Sequence, residues 1–107
     1  MDAQLKHGLL EAVVLASLRG GESYGYRIIK DLPPGMELSE STLYPILKRL
    51  EAGALVSSRT CEHNGRLRRY YAITDAGKRR IEDFLTEWKA VTDVYEFIRG
   101  GERHEQE

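Results

Sequence analysis

Hydroxyl side chains and cations share one face of residues 39–53, and such a face suits the binding of a polyanion. Its members are Ser41, Thr42, Tyr44, Pro45, Lys48 and Arg49. In a duplex groove, small polar groups hydrogen-bond the edges of bases while cations hold phosphates. The alternative is that these side chains form the solvent-exposed face of an ordinary amphipathic helix and bind nothing.

Apolar residues on the opposite face of this stretch have helical spacing, so we expect one helix to carry those polar side chains. Its apolar residues recur at i, i+3, i+4 and i+7, which are Leu43, Ile46, Leu47 and Leu50. Ser39 or Ser41 can cap the start, because a short hydroxyl accepts an orphan backbone N–H. We expect Pro45 within about the first turn and Gly53 as a left-handed end.

Two more helices precede this one, which makes a helix-turn-helix. Residues 4–18 are apolar over most of a helical circumference, so we expect burial on two sides, one of them against a partner chain. Residues 19–22 form a turn, and Ser23 is predicted to cap a short helix that ends before Pro33.

Two strands follow and complete a winged helix. Residues 55–61 and 68–73 are rich in β-branched and aromatic side chains, and the Asn64–Gly65 pair between them is a strong hairpin signal. The arginines near the tip could contact phosphates or a minor groove, or could simply be a solubilising charged edge. Tyr70 and Tyr71 must point to opposite faces, so at most one is in the core.

A last helix capped by Thr74 carries a heptad seam. Spacings of 3 and 4 relate Ile81, Phe84, Trp88, Val91, Tyr95 and Ile98. Because the winged helix is complete without it, we expect the seam to pack against the same helix of a second copy. The alternative is packing back on its own domain.

Composition limits the remaining classes of function. One domain fits 107 residues, the single Cys61 excludes an internal disulfide, and the histidines lack zinc spacing. Neither a nucleophile with its base nor a phosphate loop is apparent, so we expect no enzyme and no cofactor. Glu11 interrupts the apolar run after Lys6 and His7 and no small-residue cleavage site follows, which disfavours a signal peptide. The single cysteine fits a reducing compartment, and we expect a cytoplasmic protein without membrane contact.

The charges are strongly segregated although the net charge is −1. Residues 39–80 hold nine Lys/Arg and four acids and net +5, whereas residues 81–107 hold three cations and eight acids and net −5. Since DNA affinity depends on local neutralisation of phosphates, the basic stretch predicts a DNA-binding face and the acidic end should point away.

Five motifs in register resemble the PadR family of bacterial transcriptional regulators, over roughly residues 3–98. They are Ser23-Tyr24-Gly25-Tyr26, Thr42-Leu43-Tyr44-Pro45, Leu47-Lys48-Arg49-Leu50-Glu51 with Gly53, Arg68-Arg69-Tyr70-Tyr71, and Thr74-Asp75-Ala76-Gly77-Lys78. Ser41 departs from the glycine that is commonest in the family. The resemblance implies a dimeric repressor of the short subgroup with a single C-terminal helix. It also implies a candidate effector site at Trp88, where some members hold aromatic drugs between tryptophans, although Trp88 could equally fill the dimer core.

The sequence therefore predicts a mainly α protein with a small β-hairpin: a winged helix-turn-helix in residues 1–73, a dimerisation helix in 74–99 and a flexible tail in 100–107. Predicted DNA contacts are Tyr24, Ser39, Ser41, Thr42, Tyr44, Pro45, Lys48, Arg49, Arg66, Arg68, Arg69 and Tyr70. Predicted dimer contacts are Leu5, Leu9, Val13, Ile81, Phe84, Leu85, Trp88, Val91, Tyr95 and Ile98. The predicted partners are double-stranded DNA, a second copy and a candidate small aromatic effector. The alternative is a protein-interaction module or ligand sensor with little DNA binding.

Overall fold

A computed structural model describes residues 3–101, with side chains described from residue 8 onwards. The elements, in chain order, are α1 (Ala3–Ser17), α2 (Gly25–Lys30), α3 (Glu40–Ala52), β1 (Val56–His63), β2 (Arg66–Ile73) and α4 (Asp75–Ile98). The predicted class is confirmed: three helices, an antiparallel two-stranded wing and a long last helix. The predicted tail beyond Gly101 lies outside the described residues.

The N-cap and the buried apolar face of α3 agree with the prediction. The position of Pro45 and the conformation at the end of the helix do not. Ser39 is the cap, with its Oγ accepting the backbone N–H of Thr42 at 3.3 Å. Pro45 lies inside the helix, one turn later than expected. The left-handed residue is Ala54, with φ of 61°, whereas Gly53 has φ of −88°. Gly53 therefore ends the helix without the conformation that was expected of it.

The core forms where the apolar stripe of α3 meets α1 and the base of the hairpin. Val14, Leu15 and Ile28 have no exposed surface, and Leu43 and Leu47 are equally enclosed. The cluster also contains Leu10, Leu18, Ile46, Leu50, Val56, Tyr71 and Ile81. Burial of each such side chain stabilises the fold by about 1.5–3 kcal/mol before the entropy of ordering is subtracted.

The prediction that Ser23 caps α2 is wrong. The N-cap residue is Tyr24, which makes no side-chain cap hydrogen bond. Ser23 instead pairs with Tyr71 across an isolated antiparallel bridge, with N–O distances of 2.9 and 2.7 Å. The Ser23 Oγ is buried and has no hydrogen-bond partner among the described residues. The segment before α2 is thus tied to the edge of the wing, because tertiary pairing displaced the local cap.

The hairpin is tighter than predicted, and its strands reach the Asn64–Gly65 pair directly. The φ angles of Asn64 and Gly65 are 53° and 78°, which is the pattern of a type I′ turn. Strand pairing runs from Val56 opposite Ile73 to His63 opposite Arg66. Tyr71 is buried and Tyr70 is half-buried, which confirms that only one of the two tyrosines enters the core.

The junction before α4 fixes the direction of this helix. Thr74 Oγ accepts the N–H of Gly77 at 3.1 Å and donates to the carbonyl of Ala54 at 2.7 Å. A Cβ on Gly77 would lie 2.2 Å from the Leu55 oxygen, so glycine is needed for this close approach. From here α4 projects out of the domain, and the described chain measures 66 × 27 × 22 Å. No helix within residues 3–101 is long and apolar enough to cross a membrane.

Candidate nucleic-acid interface

Three hydroxyls are grouped at the exposed start of α3. Ser39 Oγ lies 2.9 Å from Ser41 Oγ and donates to Thr42 Oγ1 at 3.2 Å. All three side chains are exposed. The network holds the hydroxyls together while leaving lone pairs and protons for a further partner, which is the arrangement needed to read polar groups in a groove.

Tyr44 lies across the start of α2. A Cβ built on Gly25 would be 2.3 Å from the Tyr44 Oη, so a larger residue there would displace the phenol from this position. The ring is 43% exposed, and its hydroxyl rests against α2 instead of projecting straight out from α3. Tyr44 therefore joins the two helices of the helix-turn-helix as well as bordering the groove beside the wing. Pro45, next to it, is exposed.

The two cations in the second half of α3 have different surroundings. Lys48 is exposed. Arg49 Nε lies 3.8 Å from Glu11 Oε2 on α1, and the other oxygen of this carboxylate lies 3.4 Å from the Arg80 guanidinium on α4. Glu11 is only 18% exposed. One carboxylate thus links α1, α3 and α4, and it draws Arg49 toward the side of the domain where α1 and α4 meet.

The wing carries its arginines along β2. Arg66 is exposed beside the turn, and Arg69 donates to Ser58 Oγ at 2.8 Å. Ser58 in turn donates to Glu51 of α3 at 2.7 Å. The second strand is therefore connected to the end of α3, which sets the angle at which Arg66 and its neighbours are presented.

A second connection joins the wing to the turn before α2. Arg59 pairs with Glu22 through two hydrogen bonds, and its guanidinium lies 5.0 Å from the centre of the Tyr70 ring. The hydrogen bond from Arg59 lowers the pKa of Glu22, and the carboxylate raises the pKa of Arg59 further above its already high value. Arg59 and Glu22 were missed at the sequence level. Arg59 could have been found from its place opposite Tyr70, but no sequence signal points to Glu22.

These elements enclose a groove of about 490 Å³ between the start of α2, Tyr44 and the wing. We call it the wing groove. Its lining consists of Tyr24, Gly25, Tyr44, His63, Asn64, Arg66, Leu67, Arg68 and Arg69. Five of the twelve predicted DNA contacts line it, namely Tyr24, Tyr44, Arg66, Arg68 and Arg69, and none of the described lining residues is acidic. The other seven predicted contacts lie outside the groove: Ser39, Ser41, Thr42, Pro45, Lys48, Arg49 and Tyr70.

The predicted dimer seam divides into a packed half and an open half. Ile81 is buried in the core of its own domain, Leu9 and Val13 are half-buried, and the side chain of Leu5 lies outside the described part. Phe84 and Trp88 stack at 5.7 Å and are half-buried. Exposure then rises along α4. The open side chains are Leu85, Val91, Val94, Tyr95, Phe97 and Ile98, at 48–74% exposure.

Residues 14–83 match the sequence model of the transcriptional regulator PadR-like family. The transcriptional regulator Rv3488 of Mycobacterium tuberculosis (strain ATCC 25618 / H37Rv) is 36% identical over 70 residues, which are 65% of this chain and 63% of that protein. The crystal structure of a PadR family regulator from Eggerthella lenta DSM 2243 superposes with a TM-score of 0.80 at 31% identity, covering 92% of this chain and 88% of that one.

A further relative has been solved with DNA. The negative transcriptional regulator PadR of Bacillus subtilis (strain 168) is 29% identical over 91 residues, and this chain spans about half its length, since the match covers 80% of this chain and 50% of that protein. Its crystal structure in complex with operator DNA has a TM-score of 0.67 at 29% identity, covering 72% of this chain and 46% of that chain.

Proposed function

The chain belongs to the transcriptional regulator PadR-like family, and from that premise we propose that it is a homodimeric, sequence-specific DNA-binding repressor. The observation that carries the proposal is the wing groove, where Arg66, Arg68 and Arg69 converge beside Tyr44 with no acid among the described lining residues. Membership of a family of regulators places the chain outside the enzymes. The repressor role takes support from the Bacillus subtilis relative, a negative regulator.

Each part of the interface has its own role in this proposal. Ser39, Ser41 and Thr42 present hydroxyls to base edges at the start of α3, while Lys48 and the wing arginines hold phosphates. Base contacts supply the sequence specificity, and phosphate contacts supply most of the affinity and its dependence on salt. Arg49 would contact phosphate only in competition with Glu11, which lies 3.8 Å from it.

The open half of the seam supports the dimer. Large apolar side chains are exposed along the last turns of α4, and a cluster of such side chains on a protein surface marks an interaction site. Pairing of two such helices about a two-fold axis buries this surface, and the axis relates the two winged helices. We therefore assign residues 1–73 to DNA binding and 74–99 to dimerisation. The recognition helices should lie about 34 Å apart on an inverted-repeat operator.

Trp88 is the proposed effector site. Its ring is stacked on Phe84 with an angle of 16° between the planes and is half-buried, so one part of the indole remains accessible. A flat aromatic molecule between two symmetry-related tryptophans would extend this stack. Such a ligand would alter the spacing of the recognition helices and so change the affinity for DNA. A bacterial regulator of this family acts on DNA in the cytoplasm, which is the location we propose.

The experiment is selection of binding sites from fragmented genomic DNA by the purified protein, followed by salt titration on the selected site. We expect the logarithm of affinity to fall linearly with the logarithm of salt concentration, and Arg66→Ala or Arg68→Ala to lower the slope by roughly 1 per lost phosphate contact. Lys89→Ala is the control, because Lys89 lies on α4 and pairs with Asp93. Absence of salt-dependent retention on DNA would instead support a protein-interaction module or ligand sensor.

A further inference from the structure

We propose that Arg27 of α2 and Arg68 of the wing, which both contact the Tyr24 ring, bind one and the same DNA phosphate, an arrangement we call the Tyr24 clamp. This inference rests on the proposed function and adds α2 to the DNA interface. Arg27 lies in none of the motifs that pointed to DNA, and it comes close to Arg68 only in the folded chain.

The clamp is built around a single aromatic ring. The guanidinium carbon of Arg68 lies 3.9 Å from the centre of the Tyr24 ring, and that of Arg27 lies 5.2 Å from it. Both distances are within the range of cation–π attraction. Tyr70 packs edge-on against Tyr24 at 5.7 Å between ring centres, which fixes the ring from the wing side. Two elements that are far apart in sequence thus place guanidinium groups against one ring.

The charges of the clamp call for an anion. In the part of the chain that the structure describes, neither Arg27 nor Arg68 forms an ion pair, whereas the neighbouring Arg59 is neutralised by Glu22. Two cations held near one ring repel each other, and the repulsion grows where surrounding protein excludes water. A phosphate between them reverses the sign of this interaction, because each guanidinium can donate two parallel hydrogen bonds to its oxygens.

The position of the clamp favours a phosphate of DNA over a free anion. Tyr24 and Arg68 line the wing groove, and Arg27 extends the basic surface from that groove onto the exposed side of α2. A strand held by Arg66 at the wing tip would continue past this point. The Tyr24 clamp therefore lies next to the groove that we assign to the DNA backbone.

A matched control lies one turn further along the same helix. Lys30 is exposed and stands over the ring of Tyr26 at 5.4 Å, so it is also a cation on a tyrosine. No second cation is paired with the Tyr26 ring among the described residues. If any positive charge on α2 were sufficient, Lys30→Ala would weaken DNA binding as much as Arg27→Ala.

The test combines protein variants with single neutral methylphosphonate groups placed in turn along the backbone of the selected operator. Wild-type protein should lose affinity at several positions. One position in each half-site should behave differently in the variants. There the methylphosphonate should cause no further loss of affinity in Arg27→Ala or in Arg68→Ala, and the position should be the same for both variants. Arg27→Ala should bind the unmodified operator roughly ten- to a hundredfold more weakly, as expected for one charge-assisted contact, and Lys30→Ala should match the wild type at every position.

The outcomes separate this inference from the proposed function. If Arg27→Ala retains every backbone sensitivity of the wild type, or if the two arginines respond at different phosphates, the shared clamp is overturned while DNA binding stands. If wild-type protein shows no backbone sensitivity and no retention on DNA, the proposed function itself fails. Binding of inorganic phosphate by wild type, lost in Arg27→Ala without any change on the operator, would assign the site to free anions and also overturn the clamp.

Discussion

Gly77→Ala should destabilise the protein because the added methyl group meets the backbone of the turn after α3. The Cβ would lie 2.2 Å from the Leu55 carbonyl oxygen and 2.7 Å from Ile73 Cγ1. The carbonyl cannot yield freely, since it accepts the N–H of Thr74 at 3.1 Å. Overpacking of this kind costs about 1–3 kcal/mol, and the better helix propensity of alanine returns up to about 1 kcal/mol.

Because the methyl group meets a backbone carbonyl, the upper end of that cost applies, and the expected net loss in the free energy of unfolding is about 2 kcal/mol. Urea denaturation followed by circular dichroism, at one fixed protein concentration, measures it, and a melting point about 4–8 °C lower per kcal/mol should accompany it. Gly53→Ala is the control, because the same methyl group there has no neighbour closer than 3.6 Å and φ is −88°. A Gly77→Ala protein as stable as wild type would refute the contact between α4 and the turn.

Four shorter predictions address the interface, the dimer, the effector and pH. Thr42→Ala should weaken operator binding more than binding to random DNA, and equal losses in a competition assay would remove it from base readout. Val94→Asp should give monomers by light scattering, whereas Thr86→Asp, exposed on the same helix outside the seam, should stay dimeric. Planar aromatic dyes at micromolar concentration should quench the fluorescence of Trp88, the sole tryptophan, and unquenched fluorescence from an intact dimer would make it a packing residue only. Glu22→Gln should lower stability at pH 7, and the difference should vanish as the pH falls through the lowered pKa, below the ordinary value of about 4.3.

The sequence was most informative where local chemistry decides the structure. The apolar stripe of α3 follows from helical spacing alone, and Asn64–Gly65 specifies a turn with two positive φ angles. Thr74 also caps α4 as predicted, because its partner Gly77 is three residues away. In each case the interacting groups are neighbours in the chain, so the pattern of residues contains the needed information.

Contacts between distant residues were beyond local reasoning. Ser23 has the chemistry of a cap, but pairing with Tyr71 places it in a bridge instead. The arginines of the interface are also distinguished only by the fold, since Arg59 and Arg49 face carboxylates from other elements. In the sequence, nothing distinguishes Arg27 from other exposed cations. Only the fold shows that it lies beside Tyr24 and the wing.

The heptad seam shows a different limit. Its spacing identifies one apolar face but contains nothing that distinguishes a partner in the same chain from a partner in another. The structure divides the face: Ile81 joins its own core at 3% exposure, while Tyr95 and Ile98 remain 59% and 74% exposed. The first turns of α4 bind it to its domain, and only the later turns are open to a second copy.

The length of α4 gives its junction a mechanical significance. A helix of 24 residues is about 36 Å long at ~1.5 Å per residue, so a tilt of ~5° at its start would displace its far end by about 3 Å. The helix would pivot at the contact of Gly77 with Leu55, immediately after the recognition helix. The apolar surface near Tyr95 lies at its far end. In the proposed dimer, the helix would therefore act as a lever between the two subunits. A displacement of a few ångström at the dimer contact would correspond to a tilt of only a few degrees beside the recognition helix. Conversely, a small change in the packing of Gly77 would shift the dimer contact by a larger distance.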